Sequence, residues 1–167
     1  MERIKKAVSS LPKVRVYYAQ GHDGLLTECP TSTHVLAFHL AKAELVHQCQ
    51  PSSPKGFERV TIEEVIKENP DVIFAQEKEF VKQVYSNPSW RSIAAVRNHH
   101  VYLIPNIPFN WVDRPPSFMR VLGAEWIARI LYPHRFSGTI EASVAHFYRL
   151  FFQKELTPKQ IHSILHR

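Results

Sequence analysis

Nowhere in this chain do about 18 apolar residues run together, so no segment is built to cross a bilayer as a helix. Only five glycines are present. None falls into the G-x-G-x-x-G or Walker patterns whose backbone cradles a phosphate. No G-x-S-x-G elbow exists to expose a nucleophilic serine, and Ser117 merely follows two prolines. Two cysteines, Cys29 and Cys49, are too few and too widely spaced for paired zinc ligands. They fall in expected loops, where a disulfide and two free thiols are both open. Lys and Arg outnumber Asp and Glu by 21 to 15, giving a net charge of +6. No basic block forms, however, because most of the cations sit in mixed-sign segments such as 61–69 and 77–86, so no nucleic-acid partner is expected. Repeats and low-complexity tracts are absent as well.

What is present is a βα alternation with enough apolar residues, 44%, to fill one core. Residues 1–10 read as a helix that stops at Leu11-Pro12, since the residue before proline resists the helical region. The β-branched and aromatic segment 14–19 is a strand. Thr31 or Ser32 caps a helix with Val35, Leu36, His39, Leu40 and Ala43 on one stripe. A short strand is expected near 45–47, and 50–55 is a loop by composition. Thr61 with Glu64 three residues later predicts a capping box. The apolar runs 72–75 and 101–104 are buried strands. Helices are expected over 77–85, 88–96, from Pro115 to about Tyr132, over 137–153 and over 158–166. The alternation predicts an α/β three-layer sandwich: a parallel sheet of four or five strands flanked by helices.

Ligands of such sheets bind beyond the carboxyl ends of the strands. Four loops follow those ends: 20–33 with Asp23 and Ser32, 50–60 with Phe57, 76–80, and 105–117. The last combines Asn110, Trp111, Asp113 and Arg114 with four prolines, which hold its polar groups in place before a ligand arrives. Arg114 ahead of a helix N-terminus suits an anion, and Trp111 offers an aromatic face, although core packing would serve it equally well. The ten histidines are scattered: His34 and His39, five apart, do not share a helix face, and His22 beside Asp23 reads as a surface loop residue. No metal-ligand set, catalytic residue or cofactor is expected.

The segments 23–27, 56–65, Asn69-Pro70-Asp71-Val72-Ile73, Val101-Tyr102-Leu103-Ile104-Pro105 and Trp111-Val112-Asp113-Arg114-Pro115-Pro116-Ser117 together resemble a known family. It is the C-terminal lobe of cluster A (class III) periplasmic binding proteins, which serve ABC importers of siderophores, haem, cobalamin and oxyanions such as molybdate. The resemblance runs from about Val14 to Tyr132. It departs at Cys29-Pro30-Thr31 and Lys42-Ala43-Glu44, where many relatives carry glycine. It implies that residues 1–11 are the tail of an interlobe helix and 12–167 the C-terminal solute-binding lobe. The implied ligand is a metal chelate or oxyanion held between this lobe and a missing N-terminal lobe of the same protein. Asn110, Trp111, Asp113 and Arg114 would line the cleft with Asp23 and Ser32, Phe57 would form the opposite rim, and Glu63 would dock on an inner-membrane ABC permease. A periplasmic location follows. Met1–Val8 has no h-region, so an export signal is expected outside these residues. An enzyme, or a sensor lobe on the same doubly wound fold, is the alternative; an enzyme would need Cys29 or Cys49 in the cleft.

Overall fold

The computed structural model describes residues 1–50 and 56–166. Its centre is a four-stranded parallel sheet, formed by β1 (Val14–Ala19), β3 (Ala43–Leu45), β5 (Val72–Ala75) and β6 (Val101–Leu103) in the order β3-β1-β5-β6. The fold is therefore the α/β sandwich that the alternation predicts. Its two central strands are buried on both sides along 16–19 and 72–75, as the apolar run over 72–75 implies. Alternation along β1 sorts the core into two halves: Val16 and Tyr18 face one side, Tyr17 and Ala19 the other. The first side packs under α1 (Glu2–Val8), α2 (Leu36–Leu40), α6 (Met119–Leu131), α7 (Ile140–Phe152) and α8 (Pro158–Leu165). The second packs under α3 (Ile62–Glu68), α4 (Lys78–Val84) and α5 (Ala94–Arg97).

Local chemistry sets the helix ends. Thr61 and Glu64 form the expected capping box at α3, and Asn69 closes that helix in the left-handed region at φ 42°. Thr157 and Gln160 repeat the box at α8, with Pro158 in the first turn, where a missing N–H has no cost. Thr139 caps α7, so this helix starts at Ile140 and not at 137. Three expectations need larger correction. The strand placed near 45–47 lies at Ala43–Leu45. The helix over 88–96 shrinks to the four residues of α5, because 88–92 form hydrogen-bonded turns. Pro115 does not open a helix: the Arg114–Pro115 bond is cis, and α6 begins at Met119.

An unanticipated second sheet positions the site. Two short strands, β2 (Leu26–Glu28) and β4 (Phe57–Arg59), pair antiparallel with Glu28 opposite Phe57. They stand at the carboxyl end of β1, joined to it by the Gln20–Leu26 bridge. Cys29 and Cys49 form a disulfide just beyond β2. Of the loop expected over 50–60, residues 51–55 lie outside the described residues.

Candidate functional site

The informative loop, 105–117, is folded inward more than its composition suggests. Asn110 is buried, and its side-chain oxygen accepts hydrogen bonds from the backbone N–H groups of Val112 (2.8 Å) and Asp113 (3.2 Å). It shapes the turn and presents no surface to a ligand. Trp111 is fully buried, packs edge-on against Trp126 and donates its indole N–H to the Ile107 carbonyl at 2.9 Å. Core packing thus holds Trp111, and the turn holds Asn110. The turn they build aims Asp113 and Arg114 at the sheet edge.

Asp113 is 0% exposed and accepts a 2.9 Å hydrogen bond from the Tyr18 hydroxyl, which rises from the middle strand β1. Burial pushes the Asp113 carboxyl above the ordinary aspartate range, partly offset by the Tyr18 hydrogen bond and by the charges of Arg114 and His34. Burial and the Asp113 charge likewise push the Tyr18 phenol well up, so it stays a donor. Opposite lies Glu28, whose side chain is completely buried at the end of β2. The Arg114 guanidinium joins the two acids: Nη2 donates to Glu28 Oε1 at 2.6 Å, and Nε lies 3.3 Å from Asp113 Oδ2. Its plane stacks on Phe57, 3.8 Å from the ring centroid. His34 completes the group. Its Nδ1 is 2.9 Å from Glu28 Oε1, 3.1 Å from Arg114 Nη2 and 3.8 Å from Asp113 Oδ2. Gly56, at φ 80°, closes over them: a Cβ there would meet Glu28 Oε2 at 2.5 Å and His34 Nδ1 at 2.9 Å, so only glycine fits this close approach.

Of the residues named from sequence, Asp113, Arg114 and Phe57 thus converge. Ser32 does not contact them; it caps the 3-10 turn Thr33–Val35 by accepting from the His34 N–H, and so orients His34. Asp23 turns toward Leu25 and pairs with the exposed Arg59 at the surface. Arg114 lies outside the first turn of α6, so the helix N-terminus does not define it. Glu63 is exposed in the first turn of α3. Sequence reasoning missed Glu28 and His34. The one available signal was an acid directly beside Cys29, six residues before a histidine. The two cysteines an enzyme reading requires are joined to each other.

Comparison with known proteins follows the same lines. A family model described as periplasmic binding protein matches residues 1–108. The molybdate-binding protein MolA of Haemophilus influenzae is 29% identical over 150 residues, spanning 88% of this chain and 38% of MolA. Its structure with molybdate bound aligns at a TM-score of 0.76 and 27% identity, over 94% of this chain and 48% of that one. An ABC transporter solute binding protein from Sulfurospirillum deleyianum aligns at a TM-score of 0.92 and 44% identity, over 98% of this chain and 51% of that one. Helicobacter pylori CeuE with Ni(II) bound, at 19% identity and a TM-score of 0.75, shares the fold. The chain spans about half the length of these structures or less.

Proposed function

Since the chain belongs to the periplasmic binding protein family, we propose that it supplies the C-terminal half of the solute site of an ABC importer. The solute is a metal-containing anion, either an oxyanion or a chelate, held between this lobe and a preceding one. The observation that carries this reading is Arg114: a guanidinium with a side chain 29% exposed, fixed from behind by two fully buried carboxylates and from one face by Phe57. An arginine so braced meets an anion without first losing side-chain freedom, which is where pre-organised sites gain affinity. MolA, whose name and structure associate it with molybdate, supports an oxyanion as the first solute to test.

The experiment is isothermal titration of molybdate, with sulfate as comparator, into the protein carrying both lobes. Arg114→Ala is expected to weaken molybdate binding by about tenfold or more, the scale of a charge-assisted bidentate contact. Equal affinity in variant and wild type removes Arg114 from the site. Docking on the permease belongs to the same proposal. Its support is that Glu63 is exposed in the first turn of α3, where the dipole favours a carboxylate that can pair with a guanidinium. Glu63→Ala should leave solute affinity intact and slow uptake; uptake at the wild-type rate refutes docking through this residue.

A further inference from the structure

We infer that Glu28, His34 and Asp113 form a site for a divalent transition-metal cation, and that Arg114 is the internal cation that fills it when no metal is bound. This goes beyond the solute reading above and does not depend on the solute being an anion.

Three observations carry it. First, one carboxylate oxygen from each acid and one imidazole nitrogen lie within 4.8 Å of one another. Bonds of about 2.0–2.2 Å to a shared ion place its ligands about 3–4 Å apart, so small side-chain shifts suffice. Second, Glu28 Oε2 is buried and has no hydrogen-bond partner among the described residues. Such an atom is costly to bury unless something meets it. Gly56 packs directly over this same oxygen and over His34 Nδ1, since a Cβ there would come within 2.5 and 2.9 Å of them. Third, Arg114 touches an atom of every member of the trio, at 2.6 Å from Glu28, 3.1 Å from His34 and 3.3 Å from Asp113. It is also the one member of the group with substantial exposure, 29% against 19% for His34 and none for the acids. A single charge thus sits where two buried carboxylates would be balanced by a divalent ion, and it has a route outward.

The donor set names the ion class. Two carboxylates and one imidazole suit cobalt, nickel, zinc or iron(II) over magnesium and calcium, which prefer oxygen alone. Three protein ligands leave positions for water or for donors of a chelating solute. Tyr18 holds Asp113 by its other oxygen, Oδ1, as an outer hydrogen-bond partner holds a metal-ligating carboxylate.

Co2+ is the probe, because its visible absorption reports coordination directly. A second chelating pair, His162 and His166 with rings 4.5 Å apart on α8, is removed first by His162→Ala and His166→Ala. In that background the chain is expected to bind one Co2+, with magnesium ineffective. Arg114→Gln should tighten Co2+ binding by about tenfold or more, since a like charge at contact distance opposes the metal, and should enlarge the rise in Tm on adding Co2+. His34→Ala should abolish the absorption band. Glu28→Gln, nearly isosteric, repeats that test if His34→Ala does not fold by circular dichroism. Unchanged Co2+ affinity in His34→Ala or Glu28→Gln, or no tightening in Arg114→Gln, overturns the proposal. Binding of molybdate with no Co2+ binding in either arginine form also overturns it, while leaving the solute-binding reading in place.

Discussion

Two arginines in this molecule look alike in sequence and do different work. Arg129 of α6 is closed on every side. Its Nε and Nη2 donate to Glu125 at 3.0 and 2.8 Å, Nη1 donates to the Gly138 carbonyl at 3.0 Å, and Ser143 adds a 2.7 Å bond to the same glutamate oxygen. That network ties α6 to the start of α7 and has the signature of a structural clamp. The group around Arg114 has one more acid, an imidazole and a buried oxygen, Glu28 Oε2, with no hydrogen-bond partner among the described residues. A saturated network holds parts together; an unsaturated one, kept at the sheet edge in spite of its cost, is what the proposed binding role calls for.

The strongest test strikes both networks at once. Gly123 of α6 lies against the loop that carries Arg114: a Cβ there would come within 1.9 Å of the Trp111 carbonyl oxygen, and backbone cannot yield as a side-chain tip does. Gly123→Ala is expected to lower stability by about 3 kcal/mol or more, seen as a large fall in Tm or a failure to reach the native near-ultraviolet spectrum. Next comes the disulfide. Reducing Cys29–Cys49 should cost about 2–4 kcal/mol and, because Cys29 follows Glu28 directly, should also lower solute affinity. Titration before and after reduction checks this, and affinity that survives reduction detaches the site from the bond. Third, Arg129→Ala should lose about 1–3 kcal/mol in denaturant melts while solute binding stays as in wild type. Weakened binding in that variant would erase the distinction between the two arginines.

The smallest effect concerns a contact that belongs to neither. The backbone N–H of Thr61 lowers the Glu64 carboxyl, aided by the Thr61 hydroxyl, in spite of a slight opposing desolvation. A carboxyl whose folded pKa is depressed stabilises above its unfolded value and loses that contribution as pH falls through the folded one. Glu64→Gln should therefore lower Tm slightly near neutral pH and not at all in acid, by parallel thermal melts. A difference that persists in acid assigns the effect to something other than the charge.

The parts readable in the sequence are those written locally. Residues 72–75 and 101–103 are strands because apolar runs that short have few other fates, and Thr61 announces α3 because both halves of its capping box are three residues apart. Asp113, Arg114 and Phe57, which the structure brings together, were singled out because loops at carboxyl ends of parallel strands collect ligand groups. Glu28 was missed because nothing around it says buried. Its burial comes from pairing with β4, some thirty residues away, and from the cysteine next to it. His34 was set aside for the same reason, since its partners come from 28 and 113–114 and not from His39. Trp111 left two readings open, a binding face or core packing, because its burial comes from the close approach of α6 at Gly123, which the loop itself does not announce.

The strand order has a consequence in time. On the ribosome β1 emerges before the other strands of its sheet, and one of its two neighbours, β5, begins only at Val72, with β6 only at Val101. At about 5–20 residues per second, the central strand waits several seconds for its second edge to be covered. Glu28 and His34 emerge earlier still relative to their cation, which comes at residue 114. Throughout that interval the nascent chain displays Tyr17 and Tyr18, later almost wholly enclosed, beside an acid with no counter-charge. The acids' arginine is thus made after the whole sheet, and a chain released just before Arg114 would have every described strand and not the guanidinium that braces Glu28 and Asp113.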